Sequence, residues 1–290
     1  MDTMKKQLIT TILLFSIGFS FAQKKEKIKG NREVTTVIYE LDAFTTLEIK
    51  EDLEIILING TTSQVEINAD ENLHEVFTVE VVNETLRIAT TKEIRSSKKL
   101  EIFVTISEDL KRIHVENDAE LKSLTTLTIN NAEINAMGNA ELKLKLKSDS
   151  LAINSYGKTK GRYEIDTNEL ILTAFEDASV KAKVNATKVT SQVEFADVNV
   201  EGQTDSLFLE AKEKGEFIAP LFKSKEISVT TTEQAKVSIN ATEKIQIDAH
   251  DNSEIDLLGN PTSIILYKFE EEAILRKIDE NKKGFLKHIF

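Results

Sequence analysis

The stretch Asp149-Ser150-Leu151-Ala152-Ile153 returns 19 residues later as Asn168-Glu169-Leu170-Ile171-Leu172. Both copies have two polar residues followed by an apolar residue, a variable residue and a second apolar residue. Four looser copies begin at Thr187, Asp205, Lys225 and Glu243, so the period stays at about 18 to 20 residues. A fixed period of this length is typical of a solenoid, in which each repeat forms one coil.

A second motif recurs in step with the first and supplies another strand to each repeat. It places a small residue between a polar residue and a short strand: Asp118-Ala119-Glu120-Leu121, Asn139-Ala140-Glu141-Leu142, Asp177-Ala178-Ser179-Val180, Gln234-Ala235-Lys236-Val237 and Asn252-Ser253-Glu254-Ile255. The small residue fits a tight bend, because a larger side chain would collide with its stacked copies. One coil alone cannot offset an ordering cost of roughly 1.5 kcal/mol per residue, whereas stacked coils can. We therefore predict an all-β fold, a single-stranded parallel β-helix.

The N-terminus has the features of a secretory signal peptide. Lys5 and Lys6 precede an apolar run from Leu8 to Phe21, and Ala22 is a small residue suited to cleavage. Later apolar runs are too short to form a convincing membrane span. We therefore expect a secreted protein, located in the periplasm or on the cell surface of a Gram-negative bacterium.

The rest of the chain divides by its pattern. We expect a signal peptide over residues 1–22, a linker over 23–33, the β-helix over 34–262 and a short C-terminal cap or tail over 263–290. The repeat is clearest in residues 118–258, and residues 34–105 alternate apolar and polar residues as half-buried strands do. A leucine-rich repeat can have a similar period, but its asparagine-bearing leucine consensus and its helical half are missing.

Composition excludes several classes of function. The chain has no cysteine, which removes disulfides, thiolate metal sites and cysteine nucleophiles. Its formal net charge is −12. Such an acidic excess argues against nucleic acid and against anionic lipid surfaces, since both select lysine and arginine patches.

Acidic side chains are the only plentiful catalytic material. The four histidines are scattered, and neither a nucleophile elbow nor a phosphate-binding loop is present. Asp248, Asp251 and Asp256 lie on adjacent predicted corners together with Glu254, and we consider them as a calcium site made of hard oxygen ligands. Paired corner carboxylates could also serve a carbohydrate-active lyase or glycosidase. The absence of tryptophan argues against such a sugar-cleaving cleft.

One outward column is a candidate binding surface. If the first apolar residue of each repeat points inward, the next residue points outward, because side chains alternate along a strand. The outward column then reads Ala152, Ile171, Thr190, Phe208, Ser228 and Gln246. Ile171, Thr190 and Phe208 would form an apolar stripe on which a partner could dock.

The N-terminal half resembles a known family in the pattern and order of its segments. These segments are Tyr39-Glu40-Leu41-Asp42-Ala43-Phe44-Thr45-Thr46-Leu47-Glu48-Ile49, Val65 to Leu73, and Val79 to Ile88. Together with the signal peptide they resemble the head GIN domain family of autotransporter adhesin heads, a domain of unknown function abundant in Bacteroidetes. The resemblance covers about residues 39–260. The family has glycine-rich corners where this chain has Asn117-Asp118-Ala119 and Asn139-Ala140.

This resemblance implies a right-handed β-helix and an adhesin-like role. The family has no established catalytic residues, so we expect a structural or interaction module of the cell envelope that is not an enzyme and needs no cofactor. Its partner would be an envelope protein or an extracellular glycan, with self-association as another option. The alternative is the carbohydrate-active β-helix enzyme that uses corner carboxylates.

Overall fold

The computed structural model of the protein describes residues 25–279. Strands make up 69% of the structure and helix 2%, and the strands stack in parallel as a β-solenoid of about nine turns. The prediction of an all-β, parallel β-helix is confirmed. The expected signal peptide, residues 1–22, and the end of the expected cap or tail, residues 280–290, lie outside the described residues.

The strands fall into an N-terminal group and a regular group. The N-terminal group is β1 (Lys27–Lys29), β2 (Val34–Glu40), β3 (Thr46–Ile49), β4 (Glu54–Asn59), β5 (Gln64–Asp70), β6 (Phe77–Val82), β7 (Thr85–Thr90), β8 (Glu93–Ser96) and β9 (Leu100–Ile106), with one 3-10 helix, Glu71–Val76. The regular group is β10 (Arg112–Val115), β11 (Glu120–Ser123), β12 (Leu127–Thr128), β13 (Asn131–Ala136), β14 (Glu141–Ser155), β15 (Lys160–Phe175), β16 (Ser179–Glu194), β17 (Asp197–Lys212), β18 (Glu216–Thr231), β19 (Lys236–Ala249), β20 (Glu254–Leu258), β21 (Ser263–Phe269) and β22 (Ile274–Lys277).

Each long strand from β14 to β19 bends once and so serves two faces. In β15 the alternation of buried and exposed residues changes phase at Asn168 and Glu169, the polar pair that opens the repeat motif. The half after the bend belongs to the ladder that continues β10 and β13, which we call face A. The half before the bend belongs to the ladder that continues β11, which we call face B.

The core is a set of inward columns that run along the solenoid. The first apolar residues of the six repeats pair in register on face A and are at most 2% exposed: Leu151, Leu170, Val189, Leu207, Ile227 and Ile245. Neighbouring coils lie about 4.8 Å apart along such a ladder, so each side chain packs on its copies. Full burial of one such side chain contributes roughly 1.5–3 kcal/mol.

The corner after each face A strand is a left-handed turn. One residue per coil has a φ between 51° and 75°: Asn117, Gly138, Gly157, Glu176, Phe195, Glu213, Glu233, Asp251 and Glu271. The small residues that the sequence placed at this bend are at most 1% exposed: Ala119, Ala140, Ala178, Ala235 and Ser253. Non-glycine residues in this conformation carry strain of roughly 1 kcal/mol or more, which the stacked strands on both sides hold in place.

The other corner is held by hydroxyl side chains. Four threonines donate a hydrogen bond from Oγ1 to a backbone carbonyl of the preceding coil, at 3.0–3.3 Å: Thr167, Thr204, Thr242 and Thr262. A corner interrupts the regular ladder, and a buried carbonyl without a partner is costly. These four threonines therefore satisfy backbone carbonyls at the bends of β14, β16, β18 and β19.

The N-terminal end departs from sequential stacking. On face A, β3 lies between β7 and β10, and on face B, β4 lies between β9 and β11, all in parallel. The segment between β4 and β9 crosses the N-terminal end of the solenoid. There β5 pairs antiparallel with both β2 and β9, and β6 pairs antiparallel with β7. The segment assigned to a linker contains β1, which pairs with β8.

The buried carboxylate of Asp70 fastens this N-terminal end. Its side-chain oxygens accept hydrogen bonds from the backbone N–H of Arg32 at 2.9 Å, of Lys98 at 3.0 Å and of Lys99 at 3.2 Å. A Cβ on Gly30 would lie 1.9 Å from Asp70 Oδ2, so only glycine leaves room for this contact. Two separate segments, residues 30–32 and 98–99, therefore meet on this side chain of β5.

The C-terminal end continues the repeat beyond residue 262. Strand β21 pairs in parallel with β19, and β22 pairs in parallel with β20. The first part of the segment expected to be a cap or tail is thus one more coil, up to Lys277.

Candidate interaction surface

The outward column on face A has the arrangement that the sequence predicted. Ile171 pairs with Thr190 and Thr190 with Phe208, in the same ladder that links Ala152 to Ile171 and Phe208 to Ser228. Ile171 is 49% exposed and Phe208 is 47% exposed. We call Ile171, Thr190 and Phe208 the outer stripe. Its role in binding stays a prediction.

Polar side chains border the outer stripe on both sides. On one side Lys188 and Glu169 form an ion pair at 3.6 Å. On the other side the Gln192 amide donates to Glu210 at 3.3 Å. An apolar centre with a polar rim is the usual anatomy of a protein–protein interface. The parallel ladder fixes the backbone positions of these residues, so docking would need no rearrangement of the backbone.

The aspartates considered as a calcium site have separate partners. Asp248 Oδ1 lies 2.5 Å from His250 Nε2, and Asp256 Oδ1 lies 3.4 Å from Arg276 Nη1. Asp251 Oδ2 accepts from the backbone N–H of Glu233 at 3.1 Å. Within residues 25–279, no group of three or more histidine or acidic side chains is placed to hold a metal ion. Calcium binding stays a prediction, and an unchanged melting midpoint on addition of a chelator would reject it.

Carboxyl groups stack along the left-handed corner. The side-chain hydrogen bond with Glu271 lowers the pKa of Asp251, and the Glu233 N–H lowers it further. The same contact raises the pKa of Glu271. Glu213 donates its N–H in turn to Glu233 Oε2 at 2.7 Å. The corner carboxyls therefore bind the backbone or one another.

Sequence reasoning did not find a second surface, on face B. There, neighbouring rows of side chains border a groove that begins at Ser123 and Lys143 and ends at Pro220 and Leu221. The signal was present as lysine and arginine at alternate positions of consecutive repeats, but the register that aligns them comes only from the structure.

The described residues contain no helix that is long and apolar enough to cross a membrane. The fold defines the chain as a parallel β-solenoid. The chain belongs to the family described as "Putative auto-transporter adhesin, head GIN domain", whose model matches residues 43–164 and again residues 157–261. The predicted family is confirmed.

Solved structures with a similar fold include three from the genus Parabacteroides. A "putative adhesin" from Parabacteroides merdae is 17% identical, with a TM-score of 0.60, over 87% of this chain and 100% of that one. A "putative adhesin" from Parabacteroides distasonis is 16% identical, with a TM-score of 0.60, over 86% and 99%. A "putative lipid binding protein" from Parabacteroides distasonis is 19% identical, with a TM-score of 0.57, over 87% and 100%. At these identities the likeness concerns the fold. No functionally curated protein matches the chain.

Proposed function

We propose that the protein is a secreted, non-catalytic module of the cell envelope that binds another envelope protein through the outer stripe. The observation that carries the proposal is the exposure of Ile171 and Phe208 in one outward column of the parallel ladder, with Thr190 between them. Membership of an adhesin-like family and the fold shared with adhesin-like proteins support it. The periplasm or cell surface of a Gram-negative bacterium is the compartment that fits this role.

A stripe of this size contributes a measurable part of an interface. Burying an aromatic or branched side chain that was exposed is worth roughly 1.5–3 kcal/mol, and both side chains here are already about half covered. Loss of one of them should weaken binding by about 0.8–1.5 kcal/mol, which corresponds to roughly 4- to 12-fold. A charge in its place adds a desolvation cost.

Comparative capture from the native envelope tests the proposal. Purified protein is immobilised as wild type, as Phe208→Glu and as Ser228→Glu. The second variant adds the same charge one coil beyond Phe208, in the same column but outside the stripe. We expect one protein partner to be retained by wild type and Ser228→Glu and lost by Phe208→Glu. Equal retention by all three would exclude the outer stripe as the binding surface.

The same preparation tests the catalytic alternative. Envelope glycans are incubated with wild-type protein, and new reducing ends are measured over time. Steady shortening of a glycan that stops in Asp248→Asn or Asp256→Asn would overturn the non-catalytic proposal, because a binding module leaves chain length unchanged.

A further inference from the structure

The groove on face B lies between two columns of outward side chains. One column runs from Lys143 through Arg162, Lys181 and Asn199 to Ile218. The other runs from Lys145 through Glu164, Lys183 and Glu201 to Leu221. The space between them has a volume of about 480 Å³, within the range of roughly 300–1,000 Å³ that small-molecule sites occupy. Four coil-to-coil steps of about 4.8 Å make the groove roughly 19 Å long.

The charge of the groove is opposite to that of the protein. Its walls carry five cations and two carboxylates, while the whole chain has a formal net charge of −12. Lys145 pairs with Glu164 at 3.1 Å. Within residues 25–279, no ion pair engages the other four cations, Lys143, Arg162, Lys181 and Lys183. These cations gather in the first three coils of the groove, and their methylene stems form the walls below the charges.

The opposite end of the groove is apolar because of a β-bulge. Between Asn199 and Glu201 the partner strand β18 has one extra residue, which shifts the register from Ile218 to Leu221. Pro220 lies in this bulge, where its missing N–H does not interrupt a regular ladder. A bulge redirects side chains, and here Leu221 is left 43% exposed beside Ile218 at the end of the groove.

We infer that this groove binds a single-chain fatty carboxylate, with its headgroup at the Lys143, Arg162 and Lys181 end and its chain extending towards Ile218 and Leu221. A cationic end and an apolar end in one groove match the two ends of such an amphiphile. A polyanionic glycan would place charges against Glu201 and Leu221. An extended acidic peptide presents same-side residues about 6.8 Å apart, which does not match cations about 4.8 Å apart. The inference is independent of the outer stripe, which lies on face A.

Titration calorimetry with laurate tests the inference. We expect saturable binding of one laurate per chain and clearly weaker binding of dodecyltrimethylammonium, which has the same chain and the opposite charge. The double variant Arg162→Glu/Lys181→Glu should weaken laurate binding at least 10-fold, and Leu221→Asp should do the same from the apolar end. All substituted side chains are exposed, and circular dichroism verifies the fold.

Two matched controls isolate the groove. Lys214→Glu reverses a charge on an exposed corner outside the groove, and Phe208→Glu adds a charge to an exposed apolar position on face A. Both should bind laurate as wild type does. Absence of saturable binding by wild type, equal binding of the cationic amphiphile, or unchanged binding in either groove variant would overturn the inference.

Discussion

The two ends of the solenoid are finished in different ways. At the N-terminal end, antiparallel strands and the 3-10 helix cross the stack, and Leu73 and Val76 are at most 1% exposed. At the C-terminal end, β21 and β22 form the last described coil, and Ile264 and Leu266, which continue core columns, are 50% and 49% exposed. A parallel stack has open edges at both ends. Only the N-terminal edge is covered by non-repeating structure within residues 25–279.

The repeated sequence specifies the buried interior of the solenoid, whereas an end is covered only where non-repeating sequence is present. A residue in a core column is buried only when a coil lies on each side of it. Ile245 has a coil on each side and is buried. Ile264, its partner in the next coil, has a described coil on one side only and is 50% exposed. The same residue type at the same motif position therefore contributes different amounts to stability.

Truncation of one leucine at each end should show the largest difference. Leu73→Ala removes a fully buried side chain and should lower the free energy of unfolding by about 2–5 kcal/mol. Leu266→Ala removes a side chain that is half exposed and should cost less than about 1 kcal/mol. Urea unfolding followed by circular dichroism measures both, and equal losses would contradict the difference between the ends.

Asp70 allows a more specific test of the N-terminal end. Asp70→Asn replaces one accepting oxygen by an NH2 group, which cannot accept a backbone N–H. Gly30→Ala places a methyl group against the Asp70 carboxylate. Both should increase amide hydrogen exchange in β2 and β5 while β16 to β18 stay protected. Asp256→Asn, which alters an exposed ion pair near the other end, is the control and should leave β2 and β5 unchanged.

The carboxylate of Asp70 should also make the N-terminal end sensitive to acid. Burial raises the pKa of Asp70, but the N–H groups of Lys98, Arg32 and Lys99 outweigh it and hold the pKa below its ordinary value of 3.8. A lowered pKa means that the carboxylate stabilises the folded state fully above pH 3.8 and loses this effect as the pH falls through the folded pKa. Asp70→Asn should abolish this acid dependence of exchange in β5.

The C-terminal end should respond to pH in the opposite direction and more weakly. The side-chain hydrogen bond with Asp251 and the charge of that carboxylate raise the pKa of Glu271 above its ordinary value of 4.5. This contact stabilises the last coil fully below pH 4.5 and weakens as the pH rises through the folded pKa of Glu271. Exchange of the β22 amides should therefore increase above that pKa. Glu271→Gln keeps a donor and should remove the dependence; an unchanged profile would show that the hydrogen bond between Glu271 and Asp251 does not hold this coil.

Much of the regular region could be predicted from the sequence, because its signals are local and repeated. The inward column from Leu151 to Ile245, the small bend residues such as Ala178, and the outward column through Phe208 all follow from alternation and period, and the structure has each of them. The N-terminal order could not be predicted in this way. Alternation identifies which face of β3 is buried, but it does not say that β7 and β10 are its neighbours.

The sequence by itself determined the fold class, the family and the inward or outward direction of each side chain in the repeats, since all of these depend on spacing along the chain. Only the tertiary structure decided which residues meet across coils. It placed Asp70 on the N–H groups of Arg32 and Lys98, gave Asp248, Asp251 and Asp256 separate partners, and aligned Lys143, Arg162 and Lys181 into one groove. The physical reason is that these contacts depend on register, which arises from pairing between distant segments.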